Sequence, residues 1–280
     1  MARRGADRLL RWSGLAAVTL SAGIVAALVG TIVVQGAGGI DWRFLTGADS
    51  VEAGRVGIWG ALKGSLLTIG VTLGLALPLG VAAALWLEEF APRRPWTAAL
   101  EVLIANLAAV PPILFGLLGL AVFVNAWSLP RSAPLVAGLT LALMTLPTVV
   151  ITARAAMRAV PAAVRDAARG IGASPVQVAF HHVLPLAAPG IATGALLGTA
   201  RALGEVAPLL LIGMRAFIAA PAHDLTQPAT VMPMQLFLWS DRLGHGFVER
   251  TAAGSLVLLA LLLALSGLAA WLRHRWERQR

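Results

Sequence analysis

Long apolar runs separated by short polar segments organise this chain. Five of them, Ser13 to Val34, Gly64 to Leu87, Val102 to Ser128, Ser132 to Ala153 and Thr251 to Leu272, contain no Asp, Glu, Lys or Arg. A bilayer core of about 30 Å needs about 20 helical residues at a rise of about 1.5 Å each, so each run predicts one transmembrane helix. A sixth, Val183 to Met214, is apolar apart from Arg201 and Glu205. The pattern predicts an all-α, polytopic integral membrane protein with six transmembrane helices. Composition agrees: 58% of the 280 residues are hydrophobic and 12% charged, against about 45 to 50% and about 25% in soluble domains.

Charge sets the expected orientation, because Lys and Arg beside a span resist translocation. The side holding both termini carries fourteen: Arg3, Arg4, Arg8 and Arg11, then Arg93 and Arg94, then Arg154, Arg158, Arg165 and Arg169, then Arg273, Arg275, Arg278 and Arg280. The other side carries seven: Arg43, Arg55, Lys63, Arg131, Arg215, Arg242 and Arg250. Both ends are therefore expected in the cytoplasm, with a basic arm over 1–12, a six-helix domain over 13–272 and a basic tail over 273–280. The formal charge of +9 is accounted for by these span flanks and the anionic lipid they face, which removes the case for nucleic acid. Seven tryptophans (Trp12, Trp59, Trp86, Trp96, Trp127, Trp271 and Trp276) fall near span ends, where the amphipathic ring prefers the headgroup level. The first run is too long for a signal-peptide core and is read as a retained anchor. With no cysteine, disulfides and thiolate metal sites are excluded.

Small residues four apart, Gly60 with Gly64 and Gly70 with Gly74, are expected to let helix backbones approach closely in lipid. Two longer outer segments are expected, Gln35 to Trp59 and Arg215 to Arg250. The second includes the amphipathic stretch Met232 to Trp239, read as lying in the membrane interface.

The segment from Arg154 to Pro185 is polar and punctuated by proline. Pro161 is expected to open a short helix and Gly170 or Gly172 to close it; Ser174 then caps a second, which Leu184-Pro185 ends. A compact helix-turn-helix moves as a body and so transmits force. Adjacent His181 and His182 point about 100° apart with no third ligand nearby, which argues against a metal site.

Arg201 and Glu205 place opposite charges one helical turn apart. A charged residue at the centre of a span costs about 2.5 to 3.5 kcal/mol and so faces a bundle interior or a wet cavity. Guanidinium is planar and permanently charged, and its forked donors match the oxygens of phosphate or carboxylate. The expected substrate class is an oxyanion, with Glu205 holding Arg201 in place and moderating the site's charge. A structural ion pair is the alternative. Arg154 and Arg158 are candidates for guiding an anion out, although arginines at a span's rim serve chiefly as topology determinants.

Asp166-Ala167-Ala168, three residues, Gly172, then eleven residues to Leu184-Pro185 resembles the EAA signature of bacterial ABC importer permeases. Asp166 stands in place of the usual glutamate, and His182 in place of an aliphatic residue. Arg-Ala-Leu-Gly-Glu-Val-Ala-Pro from Arg201, Val-Pro-Pro-Ile-Leu-Phe-Gly-Leu from Val110, and Ala-Thr-Val-Met-Pro-Met-Gln-Leu-Phe-Leu-Trp from Ala229 are similar to the phosphate permeases of the PstA type. The likeness extends from about Trp59 to Leu272. It implies a type I (MetI-like) permease fold in the bacterial inner membrane and a coupling element over 154–185 that fits a groove on a cytoplasmic ATPase. Asp166, Ala167, Ala168, Gly172, Leu184 and Pro185 are the implied coupling positions. The implied partners are a homologous PstC-type permease subunit, a PstB-type ATPase dimer that binds ATP and Mg, and an external PstS-type phosphate-binding protein.

The sequence has no Gly-x-x-x-x-Gly-Lys-Ser/Thr run, and its single lysine is Lys63, so no means of gripping nucleotide phosphates is recognisable. The zinc-protease His-Glu-x-x-His and the Gly-x-Ser-x-Gly elbow are also missing. A transport subunit, not an enzyme, is the expectation. A sulfate or molybdate permease, an ion-gradient-driven transporter using Arg201 and Glu205, and a membrane-embedded enzyme are the alternatives.

Overall fold

The computed structural model describes residues 2–214, 221–242 and 245–278; Arg215 and Arg280 lie outside them. The described chain is helical. α1 (Ala2–Gly36) is followed by a short α2 (Trp42–Thr46) and then by α3 (Trp59–Leu85), which ends in a π turn over Trp86–Phe90. α4 (Pro95–Ala108) and α5 (Pro112–Gly119, extended by a π turn over Leu120–Ala126) precede the long α6 (Pro134–Arg158). Pro95, Pro112 and Pro134 each open their helix, where the missing N–H would have had no partner and φ is already helical.

α6 is the centre of the bundle and α1 its periphery. Along α3 and α6 the contacts advance together: Thr72 donates to the Gly138 carbonyl at 3.3 Å, Gly80 abuts Val149, and Glu88 pairs with Arg154. The two helices therefore run parallel, and the chain must cross back between them. That return is made by α4 and α5, which meet at 98°. The segment expected as one straight span is thus a broken one. Neither Pro111 nor Pro112 has an N–H, and a residue preceding proline is driven out of the helical region; Pro111 sits at ψ 134°. With this return counted as one crossing, the apolar elements make six.

After α6 come α7 (Ala162–Gly170) and α8 (Pro175–Gln177), a π segment over Val178–Val183, α9 (Leu184–Gly204) and α10 (Ala207–Leu211). Leu184-Pro185 does not end a helix, contrary to expectation. An α-helical turn would drive the Pro185 ring into the carbonyl four residues back. The wider π turn, in which the Leu184 N–H reaches the Ala179 carbonyl, relieves that collision, so α8 runs through into the fifth span.

α11 (Met232–Ser240) is a second correction. It does not lie in the interface but is inserted into the bundle, with Met232, Met234, Gln235 and Trp239 buried. Its residues are apolar on almost every face, so an interfacial setting would leave half of them wet. Met232, Leu236 and Trp239 cluster instead with Phe44, Ile58, Ala61 and Phe247, Met234 joins the cluster around α6, and the Trp239 indole N–H donates to Asp49 at 3.1 Å. α12 (His245–Arg278) closes the bundle. Gly36 at the end of α1 abuts Ala252 and Ala253 near the start of α12, so these helices are antiparallel. Together these contacts put the start of α1 and the end of α12 at the same end of the bundle as α7.

Of the four glycines expected at close approaches, Gly64 meets the Thr230 backbone. Gly60, Gly70 and Gly74 face open space within this chain.

Candidate functional site

The fifth span is interrupted at its charged pair. α9 stops at Gly204, Glu205 is extended (φ −82°, ψ 127°), and α10 resumes two residues later. Arg201 therefore lies in the last turn of α9, where the helix dipole favours a cation. Its Nε is 3.6 Å from Glu205 Oε1, an ion pair longer than a hydrogen bond. The sequence expectation of one turn of continuous helix is wrong, but the two charges still meet. The Arg201 side chain is 40% exposed and that of Glu205 20%, and among the described residues Arg201 has no hydrogen-bond partner. A guanidinium held at membrane depth, with its terminal nitrogens unengaged, has to face water, a solute or another chain.

Non-helical backbone at that depth is tolerated only where protein or a cavity covers it. Here the two interruptions support one another. α10 packs on α5, so closely that Gly116 lies against the backbone of Pro208. Val110 and Val206, one from each break, both join the cluster of Ala202, Leu203 and Leu209.

At the other end, α7 packs one face on the Val178–Val183 segment and leaves the other exposed. It closes in a Schellman motif: the Gly172 N–H reaches the Arg169 carbonyl at 2.9 Å and the Ala173 N–H that of Ala168 at 3.0 Å. Gly172 takes φ +89°, a left-handed conformation that glycine adopts without steric cost. Gly172 and not Gly170 is the closing residue, and Pro161 is the N-cap instead of the first helical position. Ser174 and Gln177 form a capping box under Pro175, which fixes the second arm.

The coupling positions divide by burial. Asp166 and Ala167 are exposed, Asp166 making only a 3.5 Å contact to Arg169. Ala168 is buried and anchors α7 to Val178, Ala179 and Val183. Leu184 and Pro185 are half-buried at the start of α9. At the tip the apolar Ile171 is 84% exposed, and Val176 of α8 is exposed as well.

Three acids went unread in the sequence. Glu88 and Glu101 bind Arg154, at 3.4 and 2.6 Å, and Glu88 binds Arg158 at 2.9 Å. Glu89 takes Arg165 of α7 at 2.8 Å. Arg154 and Arg158 are therefore structural ion-pair members and not free guides for an anion. The signal was available: each acid lies at the span end facing the same polar segment, but the orientation rule counts only Lys and Arg. Among the described residues no three His, Cys, Asp or Glu side chains converge as metal ligands.

Residues 76–278 match the family described as "Binding-protein-dependent transport system inner membrane component". The chain is 29% identical over 277 residues to a probable ABC transporter permease protein, YqgI, of Bacillus subtilis, covering 92% of each chain. It is 30% identical over 225 residues to the phosphate transport system permease protein PstA 1 of Mycobacterium tuberculosis, covering 80% of this chain and 73% of that one. Among solved structures, an inward-facing MetNI methionine ABC transporter chain superposes with a TM-score of 0.59 at 15% identity, over 78% of this chain and 97% of that one. That likeness establishes the fold alone, the MetI-like type.

Proposed function

Given that this chain belongs to the binding-protein-dependent transport system inner membrane components and resembles their PstA type, we propose that it is the permease subunit of an ATP-driven importer of inorganic phosphate. It forms half of the translocation path, with a homologous PstC-type subunit supplying the other half. Arg201, poised at the break in α9 with its terminal nitrogens unengaged, carries this reading. Its fork matches tetrahedral oxyanions, and Glu205 lowers the local positive charge enough for the anion to leave. The choice of phosphate is supported by the PstA and PstC relatives.

In this account both termini and α7 face the cytoplasm of a bacterial cell. α7 and its turn, with Asp166, Ala167 and the exposed Ile171, seat in a groove of a PstB-type ATPase that binds ATP and Mg, while Ala168, Leu184 and Pro185 pass its motion to α9. A PstS-type protein delivers phosphate from outside.

The test is uptake of radiolabelled phosphate by cells with and without this chain, in competition with sulfate and arsenate. Uptake that requires the chain, resists sulfate and is inhibited by arsenate is expected. Inhibition by sulfate as strong as by unlabelled phosphate would transfer the assignment to another oxyanion. Uptake that survives ATP depletion but collapses with an uncoupler would exclude an ATP-driven importer.

A further inference from the structure

The end of the bundle that carries α7 also contains a cavity of about 490 Å³ between the end of α3, the start of α4 and the end of α6. Its charged lining is Glu88, Arg93, Arg94, Glu101, Arg154 and Arg158, four guanidiniums against two carboxylates. Arg154 and Arg158 are engaged by those carboxylates. Arg93 and Arg94 are exposed and form no ion pair among the described residues, so the surplus of positive charge lies at the mouth. The loop bearing them is fixed: the Thr97 hydroxyl donates to the Pro92 carbonyl at 2.7 Å, and so does the Arg94 N–H at 2.8 Å.

Two further observations give the depth and the nature of the occupant. Trp86 and Trp96 flank the same loop with ring centroids 5.8 Å apart, both well exposed, as rings at the headgroup level are. From Trp96, the exposed Leu100, Leu103 and Leu107 continue along one face of α4, with a helical spacing that makes a single apolar stripe. A positive pocket thus opens at headgroup depth beside an apolar track running into the membrane.

We propose that this pocket binds the phosphodiester headgroup of an anionic phospholipid, whose acyl chains lie along the Trp96–Leu107 stripe. Arg93 and Arg94 are the headgroup's donors, since guanidinium pairs its N–H groups with phosphate oxygens. Arg154 forms the floor. The inner leaflet supplies the lipid if the orientation proposed above holds; the pocket's chemistry does not depend on transport.

The full chain, purified in mild detergent, is incubated with phosphatidylglycerol or phosphatidylcholine, and retained lipid is read by native mass spectrometry. One phosphatidylglycerol held in preference to phosphatidylcholine is expected. Retention should fall roughly tenfold or more in R93Q/R94Q, given the contribution of each juxtamembrane arginine, and stay unchanged in R43Q at the opposite end. E101Q, which removes one of the two carboxylates holding Arg154 and one negative charge from the lining, should increase retention. Equal retention of the two lipids, or undiminished retention in a normally folded R93Q/R94Q, overturns the proposal. So does displacement of the lipid by millimolar inorganic phosphate, which would make this a free-phosphate site. None of these readouts requires uptake, so a failure here is distinct from a failure of the transport reading.

Discussion

Arg165, on α7, and Glu89, at the end of α3, form a two-pronged bridge. Arg165 Nη2 and Nε lie 2.8 and 3.1 Å from Glu89 Oε1, and the same guanidinium donates to the carbonyls of Met157, in the last turn of α6, and of Val160, just beyond it. One side chain thus joins α7 to the two parallel helices of the core. The side chain of Glu89 is almost wholly buried, at 6% exposure. A movement imposed on α7 has to be passed on to α3 and α6 or break this bridge.

Arg165→Ala should therefore both destabilise and uncouple. Removing one partner of a buried pair strands the other, at a cost of about 3 kcal/mol. In the assembled transporter, ATP hydrolysis should continue while solute uptake falls. Thermal unfolding and the ratio of uptake to hydrolysis are the two readouts; an unchanged ratio would show that α7 transmits through other contacts.

Gly172→Ala tests the Schellman turn. At φ +89° a β-carbon costs about 1 to 2 kcal/mol, and the turn that presents Ile171 is expected to lose its fixed shape. Crosslinking from position 171 to the ATPase should weaken in the variant, while the spans remain folded by circular dichroism. Undiminished crosslinking contradicts the role assigned to the turn.

The contact between the two broken spans is expected to tolerate no side chain. In Gly116→Leu the new atoms meet the Pro208 backbone, which cannot yield as a flexible side chain does. Overpacking of this kind costs about 1 to 3 kcal/mol, and a lower melting temperature in detergent should report it. Gly74→Leu, in open space within this chain, provides the comparison and should leave the isolated chain's melting temperature unchanged.

Burial of α11 predicts the largest loss. Trp239 is fully enclosed, so Trp239→Ala should cost about 3 to 5 kcal/mol. Trp239→Phe, which retains a ring but forfeits the bond to Asp49, should cost about 1 kcal/mol. Similar melting temperatures for both variants would place α11 outside the core.

How much of this was legible depended on whether a feature was local. The apolar runs were, because span length follows from composition alone, and so was a glycine turn at Gly170 or Gly172 followed by the Ser174 cap, the structure choosing Gly172. The Pro111-Pro112 break was visible as residues but not as a bend, since hydropathy averaged over twenty positions passes across it. Leu184-Pro185 looked like a helix end because proline usually is one; only the π turn beneath it reveals continuity. α11 was misplaced because its burial is decided by Phe44 and Ile58, far away in sequence. Arg201 and Glu205 stood out as charges in an apolar run, whereas Glu88, Glu89 and Glu101 acquire meaning only when the fold brings arginines to them.

Transport, as proposed, depends on Arg201 meeting the anion. The decisive measurement is uptake of radiolabelled phosphate by Arg201→Gln, with the chain present in the membrane at its normal level and its partners still co-purifying. Uptake at the background of cells lacking the chain is predicted, with Arg201→Lys intermediate because it keeps the charge and loses the fork. Normal uptake by Arg201→Gln would show that the anion passes without this guanidinium.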